Sequence, residues 1–125
     1  MWNKFFQVIG AKYSFWGILM ASFGLPLFKE YIHVMPAYGV ATAYLFFHGM
    51  ALMFVGHISQ SEEKDQYRLT GWMFYLGTFF FSLFIYIYSF TNNWNFVYVS
   101  YVGSVLLLIG WGYLASRFWQ VILDR

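Results

Sequence analysis

Apolar positions fill four long blocks of the chain, and polar positions crowd into the short stretches between them. The second block, Tyr38–Ile58, carries His48 at its midpoint. At ~1.5 Å per residue it measures roughly 31 Å, about one bilayer core. It predicts a membrane-crossing helix over 38–58. The first block predicts a helix over 5–28, in which Gly10, Ser14, Gly17, Ala21 and Gly24 recur at steps of three and four. That makes one face of small residues, against which a neighbouring backbone can come close. In the second helix, Ala41, Tyr44, His48, Ala51 and Val55 share a face at helical spacing. The third block predicts a helix over 70–90. Gly71, Tyr75, Thr78, Ser82, Tyr86 and Ser89 form its polar stripe, and Phe74, Phe80, Phe81 and Phe84 fall largely off it. The fourth predicts a helix over 96–118, with Ser100, Gly103, Leu107 and Gly110 on one face and Ser104 and Trp111 beside it. All four stripes repeat near 3.5 residues, the period of left-handed packing at about +20°. Strand-like alternation is absent, which excludes a lipid-facing barrel. The expected fold is an all-α, integral membrane four-helix bundle formed by residues 1–125 as one domain.

Composition agrees with lipid as the solvent. Only 10% of the residues are charged and 61% are hydrophobic, against about 25% charged in a soluble domain. The 16 Phe, 11 Tyr and 6 Trp exceed what so small a soluble core could hold, so many must face lipid or headgroups. A net charge of +2 without a basic patch excludes nucleic acid as a partner. Cys is absent, which removes thiolate metal sites and thiol nucleophiles. The linker Lys29–Ala37 and the turn Thr91–Asn95 are expected on one side, and the mixed-charge stretch Ser59–Leu69 on the other. Lys4, Lys12, Lys64, Arg68, Arg117 and Arg125 then oppose Lys29 alone. This places both termini in the cytoplasm, in an up-down-up-down order. Lys12 falls inside the first helix and is expected to snorkel to the near headgroups. No small-x-small cleavage site follows the first apolar block, which argues against a signal peptide. Trp2, Tyr67, Trp72 and Trp119 are expected at the inner interface, Tyr31 and Trp94 at the outer one.

Candidate chemistry centres on His48. An intramembrane imidazole is a default suspect for a proton or ligand site. It is also a group that can donate to one polar neighbour and accept from another, fixing helix register. Candidate members of one intramembrane polar site are Tyr44, His48, Thr78, Ser82, Tyr86 and Ser104, with Ser82, Thr78 or Ser104 as partners of the ring. Packing is favoured, because no Asp or Glu lies within a span to relay a proton. Haem would need a second axial ligand. His33 and His57 are too far along the chain from His48 to supply one, and Met50 and Met53 are weak candidates. No catalytic residues, metal ligands or cofactors are assigned. Gly10, Ser14, Gly17, Ala21, Gly24, Gly103 and Gly110 are assigned to helix packing.

The same residues resemble a known group, the domain of unknown function 423 family, whose eukaryotic relatives are called transmembrane protein 256. In the first helix the resemblance rests on Ala21-Ser22-Phe23-Gly24-Leu25-Pro26. In the second it rests on Tyr44, His48, Gly49, Met50, Ala51 and Leu52. Gly77, Thr78, Phe81, Ser82 and Tyr86 carry it in the third helix, and Ser100, Tyr101, Gly103, Ser104, Gly110 and Trp111 in the fourth. The family pattern has His where Pro26 stands and Pro where Tyr101 stands, so a role needing two histidines is not expected here. The resemblance implies four helices in a bacterial inner membrane and no known activity. The expectation is a non-enzymatic structural or accessory protein, whose partners are membrane lipids and another membrane subunit or further copies of itself. The alternative is a small-molecule or lipid transporter or channel with His48 at its midpoint.

Overall fold

The computed structural model describes residues 2–28, 32–62 and 67–124. Four helices carry them: α1 (Trp2–Phe28), α2 (Met35–Glu62), α3 (Arg68–Thr91) and α4 (Asn95–Leu123), with one 3-10 turn at Ile32–Val34 before α2. Three of the described helices are long and apolar enough to cross a membrane: α2 over Met35–Ser59, α3 and α4. α1 is comparably long and is not among them. Lys29, Glu30, Tyr31, Glu63, Lys64 and Asp65 lie outside the described residues.

Helix ends follow local chemistry. α2 starts earlier than the apolar run, at Met35. Pro36 then occupies the first turn, where a backbone N–H has no intrahelical partner to lose. α3 stops at Asn92, which adopts a left-handed conformation (φ 55°) and returns its N–H to the Tyr88 carbonyl. Asn is the side chain that best tolerates that geometry after Gly. The Asn93 side-chain oxygen then accepts the Asn95 N–H at 3.0 Å, at the start of α4.

The helices associate in two close pairs. Along α1 and α2, Asn3 meets Gly56, Gly10 meets Gly49 and Met53, Gly17 meets Phe46, and Gly24 meets Tyr38, so the two run in opposite directions. The approach is backbone to backbone. A Cβ on Gly10 would stand 2.5 Å from the Gly49 carbonyl oxygen, and one on Gly49 2.7 Å from that of Gly10. Ser14 sits in the same seam and donates to the Phe46 carbonyl at 3.3 Å. Ala21 is exposed, at the rim of a groove of ≈ 570 Å³ that it shares with Gly17, Gly24, Tyr38, Gly39 and Ala43. α3 and α4 repeat the device. A Cβ on Gly103 would lie 2.5 Å from the Gly77 carbonyl oxygen, and one on Gly110 2.9 Å from the Phe74 ring. Ser100, Gly103, Leu107 and Gly110 are all buried in that seam.

α2 and α3 join the two pairs at the centre, with α1 and α4 on their flanks. Tyr86 and Thr42 share a hydroxyl–hydroxyl bond of 2.8 Å across this junction, and Ser82 donates to the Ala41 carbonyl at 3.0 Å. Tyr13 of α1 reaches the Tyr75 carbonyl of α3 at 2.9 Å. Two apolar clusters fill the interior, one around Tyr38, Ala41 and Tyr86, the other around Phe6, Leu52, Phe74 and Leu107. Phe74, placed largely off the polar stripe of its helix, is fully buried. The interior of this bundle is not only polar, and α4 closes over that side of α3. Tyr67, expected at the headgroups, is 3% exposed, with its ring 6.1 Å from Phe118.

Gly39 and Gly112 have open space where a Cβ would stand, unlike the seam glycines. They provide internal controls. Gly10→Val and Gly103→Val should each lower stability by about 1–3 kcal/mol, the usual cost of overpacking. Gly39→Val and Gly112→Val should leave it unchanged or raise it slightly. Thermal melts of the purified variants in one detergent measure all four.

Candidate functional site

The turns of α2 bury Ala41, Leu45, His48, Leu52 and Val55 together, which carries the imidazole inward; His48 is 5% exposed. Both ring nitrogens are occupied. The Trp111 indole N–H of α4 donates to Nε2 at 2.9 Å, and Nδ1 lies 3.0 Å from the Tyr44 carbonyl oxygen, one turn back on α2. An indole nitrogen only donates, so Nε2 is the lone-pair nitrogen. The proton of the neutral ring therefore sits on Nδ1 and is donated to Tyr44. Aromatic rings flank it, with Phe74 at 5.7 Å, Phe47 at 5.4 Å and Tyr44 at 5.4 Å. Trp111 itself stacks obliquely on Phe74 at 4.7 Å.

The partners expected for His48 are elsewhere. Ser82 is spent on the Ala41 carbonyl, and Tyr86 on Thr42. The Thr78 hydroxyl is fully buried and has no hydrogen-bond partner among the described residues, and neither has that of Thr70. Ser104 is half-buried and lines a groove of ≈ 550 Å³ with Ala43, Tyr44, Phe47, His48, Leu107, Leu108 and Trp111. The six polar residues are thus divided. Tyr44, His48 and Ser104 lie on the α2–α4 side. Thr78, Ser82 and Tyr86 line a second groove, of ≈ 380 Å³, with Tyr13, Trp16 and Met20. The stripe on α3 fastens α3 to α2; it does not converge on the imidazole. Trp111 is the residue that sequence reasoning passed over as a partner. Its signal is chemical: an indole midway along an apolar helix has one N–H and no water to receive it.

The site has little reactive capacity. Ser82 and His48 do not bond to each other, so no nucleophile is set against a base. His33 and His57 are both exposed and apart from His48. Among the described residues no three His, Cys, Asp or Glu side chains group as metal ligands.

Satisfied and unsatisfied hydroxyls should respond oppositely to deletion. Thr78→Val keeps the shape and removes a buried orphan group, so it should be neutral or stabilising by up to about 1 kcal/mol. Ser82→Ala should cost about 0.6 kcal/mol, the average for a hydrogen bond between helices in a membrane. Trp111→Phe should cost more, about 1–2 kcal/mol, because it also strands Nε2. Unfolding midpoints in mixed micelles give the order.

Comparison with known proteins bears on the same residues. The chain is 30% identical over 110 residues to a UPF0382 membrane protein of Staphylococcus aureus (strain bovine RF122 / ET3-1), covering 86% of this chain and 89% of that one. It is 28% identical over 113 residues to a UPF0382 membrane protein of Staphylococcus saprophyticus, covering 86% and 91%. A third, from Staphylococcus epidermidis (strain ATCC 12228 / FDA PCI 1200), is 27% identical over 110 residues, covering 86% and 89%. No solved structure matches the chain. The family described as "Protein of unknown function (DUF423)" matches residues 20–105. That stretch contains the His48 shell up to Ser104, and the chain belongs to the DUF423 family.

Proposed function

We propose that this is a small non-enzymatic protein of the bacterial cytoplasmic membrane that acts as a structural or accessory element, binding lipid or a partner membrane subunit through its outward faces. All four helices cross the bilayer in this reading, up-down-up-down, with both termini in the cytoplasm. The opposed contacts along α1–α2 and α3–α4 support that order. α1 follows α2 from Gly56 to Tyr38, which supports a span for it as well. Lys4, His57, Arg68 and Arg117 gather at one end of the bundle, the distribution expected of a cytoplasmic side.

The observation that carries the reading is that both nitrogens of His48 are engaged inside the bundle. A transporter working through this ring needs water to reach it and a free nitrogen to take up a proton or ligand. Here both nitrogens are used within the bundle, and Ala43, Phe47, Leu107 and Leu108 give the adjoining groove an apolar wall beside Tyr44, Ser104 and Trp111. Such a lining suits an acyl chain better than a hydrated ion. Large apolar side chains are exposed along every helix, among them Phe15, Phe47, Tyr101 and Leu108. They are what a lipid or partner interface requires.

Purified protein in sealed vesicles loaded with a pH-sensitive dye distinguishes the readings. An accessory protein leaves the decay of an imposed proton gradient within twofold of protein-free vesicles, and His48→Gln changes nothing. Decay accelerated tenfold by the native protein and abolished in His48→Gln would establish transport instead.

A further inference from the structure

Lys12 is the residue that the functional reading leaves without a role, and its depth is unusual. Two residues before it, Gly10 meets Gly49 and Met53; two residues after it, Ser14 donates to the Phe46 carbonyl. Lys12 is therefore level with Gly49, beside His48 and near the middle of the apolar window Met35–Ser59. From Gly49 to Ser59 is about 15 Å of helix. The cationic end of the bundle is at that far level, since Asn3 meets Gly56, and Tyr67 meets Phe118 beside Arg68 and Arg117. A lysine stem is too short to cover that distance, so the snorkelling expected from sequence does not bring this ammonium to the headgroups.

Lys12 also points away from its own bundle. Phe6, Gly10 and Gly17 are buried on the inner side of α1, whereas Val8, Ala11, Lys12 and Phe15 are exposed on the other. Among the described residues no ion pair or hydrogen bond involves it. The chain's acidic residues are Glu30, Glu62, Glu63, Asp65 and Asp124, all outside the apolar windows. A second copy therefore has no carboxylate to offer at this depth. An unpaired ammonium in hydrocarbon is costly, and such groups are found facing protein and paired.

We propose that the Lys12 face of α1 is the docking surface for a transmembrane helix of a different protein, one that carries an Asp or Glu at mid-membrane depth to pair with Lys12. The proposal rests on the four-span accessory reading and names the partner's chemistry. Ala11 lets the partner's backbone come close, and Val8 and Phe15 pack on either side of the ion pair.

The test places a photo-reactive amino acid at Phe15 of the full-length chain, expressed in its own bacterium, with the same group at Tyr101 on α4 as the comparison site. The expected result is a Phe15 adduct with one other membrane protein, joined within a span that contains a carboxylate. Lys12→Leu and Lys12→Glu should each cut its yield at least ~10-fold, the scale of a lost buried charge pair. Changing the partner's carboxylate to Lys should restore the yield with Lys12→Glu. Because Lys12 has no bond among the described residues, purified Lys12→Leu should melt at or above the native temperature; a lower melting temperature overturns the proposal. So does an adduct with lipid or a second copy, no adduct at all, or a yield indifferent to Lys12→Leu. A partner captured at Tyr101 but not at Phe15 would remove the Lys12 surface while leaving the accessory role standing.

Discussion

Lipid gives one apolar helix no hydrophobic reward for touching another, and every contact in this bundle answers to that constraint. Cohesion must come from dispersion at short range and from hydrogen bonds that water does not contest. The two tightest crossings use the same solution. Gly10 against Gly49 and Gly77 against Gly103 bring carbonyl oxygens to where a side chain would otherwise stand. Bulk was removed at these points so that whole backbones could make contact. The aliphatic and aromatic residues of the buried core then fill the space that the crossings define, and do not themselves create the association.

Between the two pairs the device changes from packing to hydrogen bonding. Thr42 with Tyr86 and Ser82 with Ala41 tie α2 to α3, and His48 with Trp111 ties α2 to α4. Each bond uses a side chain short of partners in hydrocarbon, which makes the geometry hard to exchange for another. Thr70 and Thr78 depart from this pattern, with hydroxyls that bond to nothing among the described residues. Both belong to α3, where they are buried without a described partner of their own.

How much of this the sequence disclosed depends on whether the signal was periodic or specific. Small residues at steps of three and four marked the α1 seam, because that spacing returns to one face of a helix whatever the neighbour is. The same logic puts Ala21 in the seam, whereas it is exposed at the rim of the groove between Gly17 and Gly24. Phe74 is set apart from the polar stripe by its chemistry, yet it lies three residues after Gly71 and four before Thr78, and so shares their buried face. The polar cluster was read as one site because Thr78, Ser82 and His48 all sit at mid-depth. Depth is legible from sequence, but the rotation of one helix about another is not. That rotation sends Ser82 to Ala41 and leaves His48 to Trp111. The start of α2 was missed for a simpler reason: Pro36 reads as a break unless it stands in a first turn.

His48 is where the constraint presses hardest, because an ionisable ring is kept in an apolar interior as a neutral acceptor. The proposed role of the protein, as a scaffold rather than a proton carrier, depends on that state. Nitrogen-15 NMR of the histidine side chains, with the protein in lipid at pH 7, reads it directly. The account predicts a proton on Nδ1 of His48 and a bare Nε2 that receives the Trp111 indole hydrogen. A proton on Nε2, or on both nitrogens, would contradict it.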